Sequence, residues 1–577
     1  MSLQEPSSSS KHLEDSSVSR ESQSHDEFGS STSKSTMDYD PQGSPVQYDA
    51  GLQDEVDCDV LSKIESDVNL SRELSRKLTN AFAVEQDTDT LAPLLPMGNG
   101  RPYPPQAPDR EQYTVAFDGP NDPLFPQNWA TGKKIRMCLL IGLNAFCVAF
   151  GSAVFSPAIP YISAQYGVIN VVSTLSVSLF VIGFATGPVV WAPLSELYGR
   201  KPVLFVSSLG FMLFSFAVAT AQDIQTIMIC RFFTGAIGSG PMVVVPAGFA
   251  DMFGSGSRGI AITIFGMTIF CGPLLAPIIG AFIAKSYLGW RWIEYILGML
   301  GAAGFISVFF YEETHHPIIL VNKAVTLRRR TGNWMIQAPH EEVTLSIKEI
   351  CEKNITRPLK MLFTEPILLL ISIYTAFIYG ILYLFLTAYP LVFNKGYHMT
   401  QGVAELPYFG LIIGQLLGGA FLIWYELSYN RKIERSGIKR TPEARLVPSI
   451  VGGIAFPIGL LWFCWSGYYA DEVHWIVPTL SGLFSGFGLI TIFNQCLNYL
   501  VDAYLVFAAS AMAANTFLRS SFGACFPLFA GYMFEAMGIN WAGLLIGLFA
   551  ACLIPLPIIF YFYGERIRHK SKYAFVY

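Results

Sequence analysis

The sequence is poor in charged residues. Only 14% of its 577 residues are charged, against about a quarter in an ordinary soluble domain, whereas 52% are hydrophobic. A soluble fold of this size would lack the polar residues that cover a water-exposed surface. The formal net charge is only -5, so the overall balance predicts neither a nucleic-acid partner nor an acidic one.

Motifs of several enzyme classes are also missing. No segment matches GxxxxGK[ST], so the P-loop type of ATP site is excluded, and neither HExxH nor a nucleophile elbow occurs. The ten cysteines lack the paired spacing of a metal site, and most lie in apolar runs, where a cysteine behaves as a small buried hydrophobe. The sequence therefore predicts neither an enzyme nor a bound metal or cofactor.

Long apolar runs are what the sequence does contain. They begin near Met137, and a run of about 20 residues crosses the hydrocarbon core of a bilayer. Because no such run precedes Met137, we expect no cleavable signal peptide, and the first span directs insertion. We predict an all-α membrane protein with twelve spans, at roughly 137–160, 170–192, 203–221, 226–249, 260–284, 292–311, 365–393, 403–425, 447–468, 474–500, 506–533 and 541–563.

Polar segments flank these spans and divide them six and six. The first segment is rich in Ser, Asp and Glu, which predicts a disordered tail whose serines are candidate kinase substrates. The predicted parts are a disordered cytoplasmic tail, 1–100; a proline-rich membrane-proximal segment, 101–136; a first six-helix bundle, 137–311; a cytoplasmic central loop, 312–364; a second bundle, 365–563; and a basic tail, 564–577.

Basic residues predict the orientation of the spans. About 24 Lys and Arg lie in the loops and flanks of one face, which we call the basic face, against only Lys285, Arg291 and Lys395 on the opposite face. Lys and Arg close to span ends are retained in the cytoplasm. We therefore expect the basic face, and both chain termini, to be cytoplasmic.

The two halves of the chain repeat each other at a distance of about 250 residues. An even number of spans in each half predicts parallel repeats, related by an axis along the membrane normal. The matching positions are Gly238-Ser239-Gly240 with Gly486-Phe487-Gly488, Asp251 with Asp502, and Pro273 and Gly280 with Pro527 and Gly531.

A charged loop, APLSELYGRKPVL, joins the second and third predicted spans. Gly199 permits the sharp turn that so short a loop needs. Glu196, Arg200 and Lys201 offer charges that can pair with neighbouring helices and so latch one conformation shut. An ordinary positive-inside loop is the alternative that spacing alone leaves open.

This loop resembles the motif that major facilitators carry between their second and third spans, with Glu196 in place of the usual Asp. CRFFTGAIGSG resembles the antiporter motif with an intramembrane arginine, here Arg231, and FCGPLLAPIIG resembles the Gly-Pro signature of antiporters, here Gly272 and Pro273. The resemblance implies a major facilitator fold of two pseudo-symmetric bundles, with Arg231 in proton coupling. A structural helix tie for Arg231 and simple packing for Gly272 and Pro273 are the alternatives.

Further motifs narrow the resemblance to fungal twelve-span drug:proton antiporters. FDGPNDPLFPQNW and EETHHP carry it, and ILVNKA, HEEV with SIKEI, and FGACFPLFAGYMF look most like the yeast polyamine exporters. The similarity begins near Arg101. It implies a proton-coupled exporter of polyamines or of diverse drugs such as azoles and weak acids. Such a protein needs no cofactor besides the proton gradient, and lies in the plasma membrane or, alternatively, the vacuolar membrane.

Two sets of site residues follow from the motifs and the repeats. For proton coupling and gating we expect Arg231, Glu196, Gly199, Arg200, Lys201, Asp251 and Asp502. For a hinge that alternating access would use we expect Gly272, Pro273, Gly280 and Pro527.

A third set concerns the substrate cavity. Arg519 is the most deeply placed charge of the second half and should face the bundle interior, where it binds an anionic group, repels cations or pairs with a carboxylate. Carboxylates are scarce near the predicted midplane, so aromatic faces are the expected cation ligands. The candidates are Tyr379, Tyr383, Asn494, Gln495, Asn498, Arg519 and Glu294. An importer or uniporter, a non-transporting receptor and an intramembrane enzyme are the rival functions.

Overall fold

The structure, a computed structural model, describes residues 113–119, 121–342, 352–436 and 441–574. Within these ranges the regular elements are helices, joined by short turns. The predicted tail, 1–100, lies outside the described residues, as does the beginning of the proline-rich segment.

Eleven helical stretches in the described ranges are long and apolar enough to cross a membrane. The last one, Ala508–Arg568, has 61 residues, which is about 90 Å of helix at 1.5 Å per residue and far more than one crossing needs. Gly538 interrupts it with φ 75° and ψ 161°, so it forms span 11, 508–537, and span 12, 539–568. The predicted twelve-span all-α architecture is confirmed.

We number the spans by their helices. They are span 1, Thr131–Ala153 with Ile159–Tyr166; span 2, Asn170–Tyr198; span 3, Arg200–Thr220; span 4, Ile224–Gly238 with Gly240–Met252; span 5, Ser255–Lys285; span 6, Arg291–Phe309; span 7, Pro366–Pro390; span 8, Tyr408–Ser436; span 9, Leu446–Tyr468; span 10, Ile476–Ala503; and spans 11 and 12 within Ala508–Cys552 and Pro555–Arg568.

Several helix ends differ from the sequence prediction. Span 1 begins at Thr131, well before the predicted 137, and the last helix continues to Arg568, beyond the predicted 563. Lys133 and Lys134 at the first of these ends and Glu565 and Arg566 at the second are helical, because a long charged side chain can pack its stem on apolar surface and keep its charged group in a polar environment. Hydropathy therefore marks where a span becomes apolar, whereas the helix extends further.

The helices pack as two bundles, spans 1–6 and spans 7–12. Span 2 contacts span 4 and span 3 contacts span 6 in the first bundle, and span 10 contacts spans 8 and 9 in the second. Between the bundles, span 2 packs against the Ala508–Cys552 helix, and span 5 packs against span 8. The repeated glycines lie at tight helix crossings: a Cβ on Gly238 would lie 2.6 Å from the Phe211 ring, and one on Gly486 2.1 Å from the Leu411 carbonyl.

The proline-rich and central segments lie together on the basic face. The backbone of Val115 donates to the Gln337 carbonyl (2.9 Å), and Lys323 of the helix His316–Thr331 binds Asp118 (2.8 Å). Asp122 accepts backbone hydrogen bonds from Asp118 and Leu124, and these bonds, with Lys323 nearby, hold its pKa below the ordinary value. The segment is thus fixed to the loop that connects the bundles.

Candidate functional site

Arg231 and Glu294 form a fully buried ion pair inside the first bundle. Arg231 Nη1 lies 3.0 Å from Glu294 Oε1, and both side chains are 0% exposed. Nη2 donates to the Gly151 carbonyl (3.0 Å), and Nε donates to the Ser176 carbonyl (3.3 Å). The Phe180 ring lies under the guanidinium at 4.5 Å. Arg231 therefore ties spans 1, 2, 4 and 6 to one another.

Glu294 keeps one oxygen free within this pair. Its Oε2 is buried and has no hydrogen-bond partner among the described residues. A carboxylate that is only half satisfied in a dry interior is costly to keep charged, and a proton removes that cost. The sequence predicts Arg231 in proton coupling and Glu294 in the cavity, but the structure joins the two residues and keeps Glu294 away from the cavity lining.

Hydroxyl groups connect this pair with the space between the bundles. Gly151, which accepts from Arg231, precedes Ser152, and the Ser152 hydroxyl accepts a hydrogen bond from Tyr383 of span 7 (2.9 Å). The hydroxyls of Tyr383 and Tyr379 are 3.4 Å apart. Gly151 and Ser152 are neighbours in span 1, so a movement of Arg231 that displaces Gly151 also displaces Ser152 and, through it, Tyr383 of the second bundle.

A narrow cavity lies between the two bundles at this level. Ser152, Phe184 and Pro273 line it from the first bundle, and Tyr379, Tyr383 and Arg519 line it from the second. Its free volume is only about 20 Å³. In this closed arrangement the cavity has room for a water molecule but not for a drug-sized substrate.

Arg519 is held in the cavity wall by aromatic rings. Its guanidinium carbon lies 5.3 Å from the centre of the Tyr379 ring and 5.0 Å from that of the Phe493 ring. Such contacts stabilise a cation by about 0.5–2 kcal/mol each. Within the described ranges Arg519 has no ion pair, and its Nε is buried without a hydrogen-bond partner. A carboxylate partner, one of the three alternatives predicted from the sequence, is not found in those ranges.

The charged loop of the first bundle is held from three sides. Arg200 Nε lies 3.1 Å from Asp251 Oδ2, and Nη1 donates to Ser195 (2.7 Å). Glu313 accepts from the backbone N–H groups of Arg200 (2.9 Å) and Lys201 (3.0 Å), so its carboxylate caps span 3. Sequence reasoning missed Glu313, which the EETHHP stretch contains.

Gly199 and Glu196 flank that cap. Gly199 has φ 95°, and a Cβ there would lie 2.5 Å from Glu313 Oε2, so both the backbone and the space require glycine. The Glu196 side chain is exposed, and its carbonyl accepts from His315 Nε2 (3.1 Å). Burial, together with the nearby charge of Arg200, lowers the pKa of His315 to about 4. His315 is therefore neutral at pH 7.

The second bundle carries a matching ion cluster on the same face. Arg445 Nε lies 2.9 Å from Asp502 Oδ2, and its Nη1 lies 2.8 Å from Glu426 Oε2. A Cβ on Gly259 of span 5 would lie 2.7 Å from Glu426 Oε1, so the cluster reaches the first bundle. Arg445 and Glu426 were not expected from the sequence, although Arg445 precedes Asp502 much as Arg200 precedes Asp251.

On the opposite face a glutamine bridges the bundles. Gln401, before span 8, accepts from the Tyr161 hydroxyl (2.8 Å) and donates to the Pro157 carbonyl (3.1 Å), both in span 1. Contacts between the bundles therefore lie on both sides of the cavity, which explains its small free space.

The candidate hinge residues lie at tight helix contacts. A Cβ on Gly272 would lie 2.8 Å from the Ala149 Cβ, and one on Gly280 would lie 2.5 Å from the Val154 carbonyl, so span 5 closely approaches span 1. Pro273 and Pro527 both lie inside helices. Their role as a hinge stays a prediction.

The three amides of span 10 are buried but do not line the cavity. Asn494 Nδ2 lies 3.5 Å from the Thr263 carbonyl of span 5, so it contributes to the contact between the bundles. Gln495 Oε1 has no hydrogen-bond partner among the described residues. That Asn494, Gln495 and Asn498 bind substrate stays a prediction.

Comparisons with known proteins agree with this geometry. The multidrug transporter TPO1_2 of Candida glabrata is 55% identical over 520 residues, covering 89% of each chain. The major facilitator superfamily multidrug transporter FLU1 of Candida albicans is 55% identical over 521 residues, covering 90% of this chain and 85% of that one.

The fold and the family profile point the same way. The proton:xylose symporter XylE superimposes with a TM-score of 0.54 at 16% identity, over 76% of this chain and 96% of that one, which shows a shared fold. The sequence profile described as Major Facilitator Superfamily matches residues 141–527. This multi-pass membrane protein therefore belongs to the major facilitator superfamily.

Proposed function

We propose that this chain is a proton-coupled exporter of drug-like molecules that works by alternating access of its two bundles. The similar proteins of Candida glabrata and Candida albicans, both named multidrug transporters, support the substrate class. The buried Arg231–Glu294 pair, with one carboxylate oxygen unpaired, is the observation that carries the proton coupling.

Glu294 is the proposed proton acceptor. Its protonation removes the negative charge that faces Arg231, and the guanidinium then relies on the carbonyls of Gly151 and Ser176. Ser152 of span 1 is hydrogen-bonded to Tyr383 of span 7, so a change in the contact between Arg231 and span 1 is transmitted to span 7 in the second bundle. A proton thus biases the equilibrium between two arrangements of the bundles, as a ligand with unequal affinity for two states must.

Two sets of contacts serve as gates in this scheme. The cluster of Arg445 with Glu426 and Asp502, which reaches span 5 of the first bundle, closes the basic face, and Gln401 closes the opposite face. The Arg200–Asp251 pair on the basic face holds spans 3 and 4 together within the first bundle. Rocking of parallel repeats opens one face at a time. The Gly272 and Gly280 contacts between spans 5 and 1 are the positions around which that movement is expected.

The orientation and the compartment are part of the proposal. The excess of Lys and Arg supports a cytoplasmic basic face, and we place the protein in the plasma membrane, with the vacuolar membrane as the alternative. The proton gradient supplies the energy without a bound cofactor, and kinases acting on the serine-rich tail are proposed partners. Polyamines are proposed substrates only on the resemblance of the sequence motifs.

Efflux from a fungal host tests the proposal. Cells that overexpress the chain should lose labelled azole faster than cells that lack it, and a protonophore should abolish the difference. Arg231→Ala should reach the membrane and give no efflux, whereas Arg329→Gln, an exposed arginine of the central segment, should behave like the wild type. Full efflux in Arg231→Ala would remove the coupling role.

Other outcomes identify the rival functions. Faster accumulation of the label instead of its loss would indicate an importer. Efflux that persists with the protonophore would indicate a uniporter, and unchanged label in every strain would favour a receptor. Labelled spermine, measured in the same strains, decides whether polyamines are carried.

A further inference from the structure

The segment that follows span 12 folds back onto the basic face. Residues 569–574, which we call the docked segment, contact the start of span 7 and the helical turn before span 11. The Ser571 hydroxyl donates to Glu365 Oε2, and its Oγ accepts from the backbone N–H of Ala574 (2.9 Å). The backbone N–H of Lys572 donates to Glu365 Oε1 (3.2 Å). Ser571 is therefore the centre of the contact.

Glu365 links the docked segment to the end of span 10. Its side chain is 3% exposed, and a buried carboxylate is stable only when hydrogen bonds replace its lost water. Besides Ser571 and Lys572, the Tyr504 hydroxyl lies 3.4 Å from Glu365 Oε2. Release of the docked segment would leave Glu365 with this single long hydrogen bond among the described residues. Because Tyr504 lies two residues after Asp502, docking also holds the end of span 10 that carries Asp502.

The residue before the docked segment holds the other partner of the gate. Arg568 Nε lies 2.8 Å from Glu443 Oε1, with side chains 4% and 10% exposed. Glu443 belongs to the short helix Pro442–Arg445, and Arg445 forms the ion pair with Asp502 that closes the basic face. The end of the last helix and the docked segment thus support the closed gate from both sides.

The sequence around Ser571 fits a kinase that prefers basic substrates. Arg566, Lys570 and Lys572 are exposed, and Ser571 itself is half-buried, so local opening of the segment is enough to present it. Kinases select their substrates partly by the pattern of charges around the acceptor residue. The segment lies on the face that we place in the cytoplasm, where ATP is present.

We propose that Ser571 is a phosphorylation site whose modification releases the docked segment and loosens the gate on the basic face. This inference rests on the proposed function for the orientation and the gate. In the transfer, Ser571 Oγ bonds to the γ-phosphorus of ATP while the bond from that phosphorus to the β,γ-bridging oxygen breaks. ADP leaves with the bonding electrons, and the hydroxyl proton passes through the kinase to water. The phosphate brings about two negative charges to Glu365 and removes the hydroxyl donor, so repulsion replaces a hydrogen bond.

Phosphorylation of the full chain in lipid nanodiscs tests the site. The chain is incubated with ATP and the catalytic subunit of cyclic-AMP-dependent protein kinase, and fragment mass spectrometry locates the phosphate. We expect phosphate on Ser571, formed about tenfold faster in Glu365→Gln, where a neutral acceptor replaces the carboxylate that holds the hydroxyl. A peptide of residues 564–577 is the control. No phosphate on Ser571 of the full chain, whether or not the peptide is modified, would overturn the proposal.

Charge variants of the full chain test the release. Hydrogen–deuterium exchange of backbone amides is followed in the docked segment and in residues 499–507. Ser571→Asp should speed exchange in both by about tenfold or more, the effect of losing one charge-assisted hydrogen bond. Combining Ser571→Asp with Glu365→Gln removes the repulsion and should bring both rates back towards those of the wild type. Thr326→Asp, which adds the same charge at an exposed position of the central segment, should leave both rates unchanged.

The outcomes separate this inference from the proposed function. Unchanged exchange in Ser571→Asp, or equal exchange with and without Glu365→Gln, would refute the release. Faster exchange of the docked segment with no change in residues 499–507 would refute its link to the gate. Neither measurement involves a transported substrate, so the inference can fail while the export function stands. If azole efflux fails instead, the export function is wrong, whereas phosphorylation and release of the segment are still observed.

Discussion

Removing the partners of the buried ion pair one at a time should destabilise the first bundle strongly. Glu294→Gln leaves Arg231 charged and buried without its partner, and Arg231→Gln leaves Glu294 buried without a cation, because both side chains are fully enclosed. Breaking a buried pair in this way costs about 3–5 kcal/mol. The double variant leaves two neutral amides, so its loss should be smaller than the sum of the single losses by about 3 kcal/mol.

The free energy of unfolding in detergent micelles, followed by tryptophan fluorescence, measures this cycle. Lys133 and Glu312 provide the control, because their ion pair at 2.6 Å is partly exposed to solvent, with side chains 31% and 48% accessible. Their cycle should give a coupling of only about 0–1 kcal/mol. If the losses of unfolding free energy in the two single variants add up to the loss in the double variant within about 0.5 kcal/mol, Arg231 and Glu294 are not strongly coupled.

Three further outcomes follow from the basic face. The pKa of His315 is lowered from its ordinary 6.5 to about 4, so the folded state, which holds His315 neutral, has its full stability above pH 6.5 and loses part of it as the pH falls towards 4. The melting temperature of His315→Gln should therefore fall less over this pH range than that of the wild type. An unchanged pH profile would contradict this. Gly199→Ala should cost at least about 1 kcal/mol in unfolding free energy, whereas Gly142→Ala, which meets no atom within 4 Å, should be neutral or stabilising; equal effects would exclude the Glu313 clash. Arg445→Gln should abolish gradient-driven efflux with a smaller stability loss than the fully buried pair, and wild-type efflux would exclude this gate.

Hydropathy and motif spacing were sufficient for the architecture. Apolar runs of about 20 residues can do little but cross a bilayer, and the repeat already related Asp251 to Asp502. In the structure each aspartate forms an ion pair with an arginine, Asp251 with Arg200 and Asp502 with Arg445. Arg445 was not predicted because the loop before it differs in length from the loop that carries Arg200. The offset that relates Asp251 to Asp502 therefore does not lead from Arg200 to Arg445.

The sequence does not predict which residues of different spans contact one another. Arg231 and Glu294 are 63 positions apart, and a rotation of either helix by a quarter turn would separate them, so only packing decides their pairing. The same holds for Ser152 with Tyr383, which meet across the bundle boundary. Periodicity places a residue on a helix face but does not say which helix lies opposite.

Proton-driven transport by purified protein in liposomes provides the decisive test of the coupling scheme. Labelled azole and internal pH are recorded together after a pH jump. We predict that the wild type accumulates azole against its gradient while protons move the other way. Glu294→Gln should still exchange labelled for unlabelled azole, yet show no accumulation and no proton movement. Wild-type azole flux that ignores the pH jump, or Glu294→Gln that remains fully driven by it, would contradict the assignment of Glu294 as the proton acceptor.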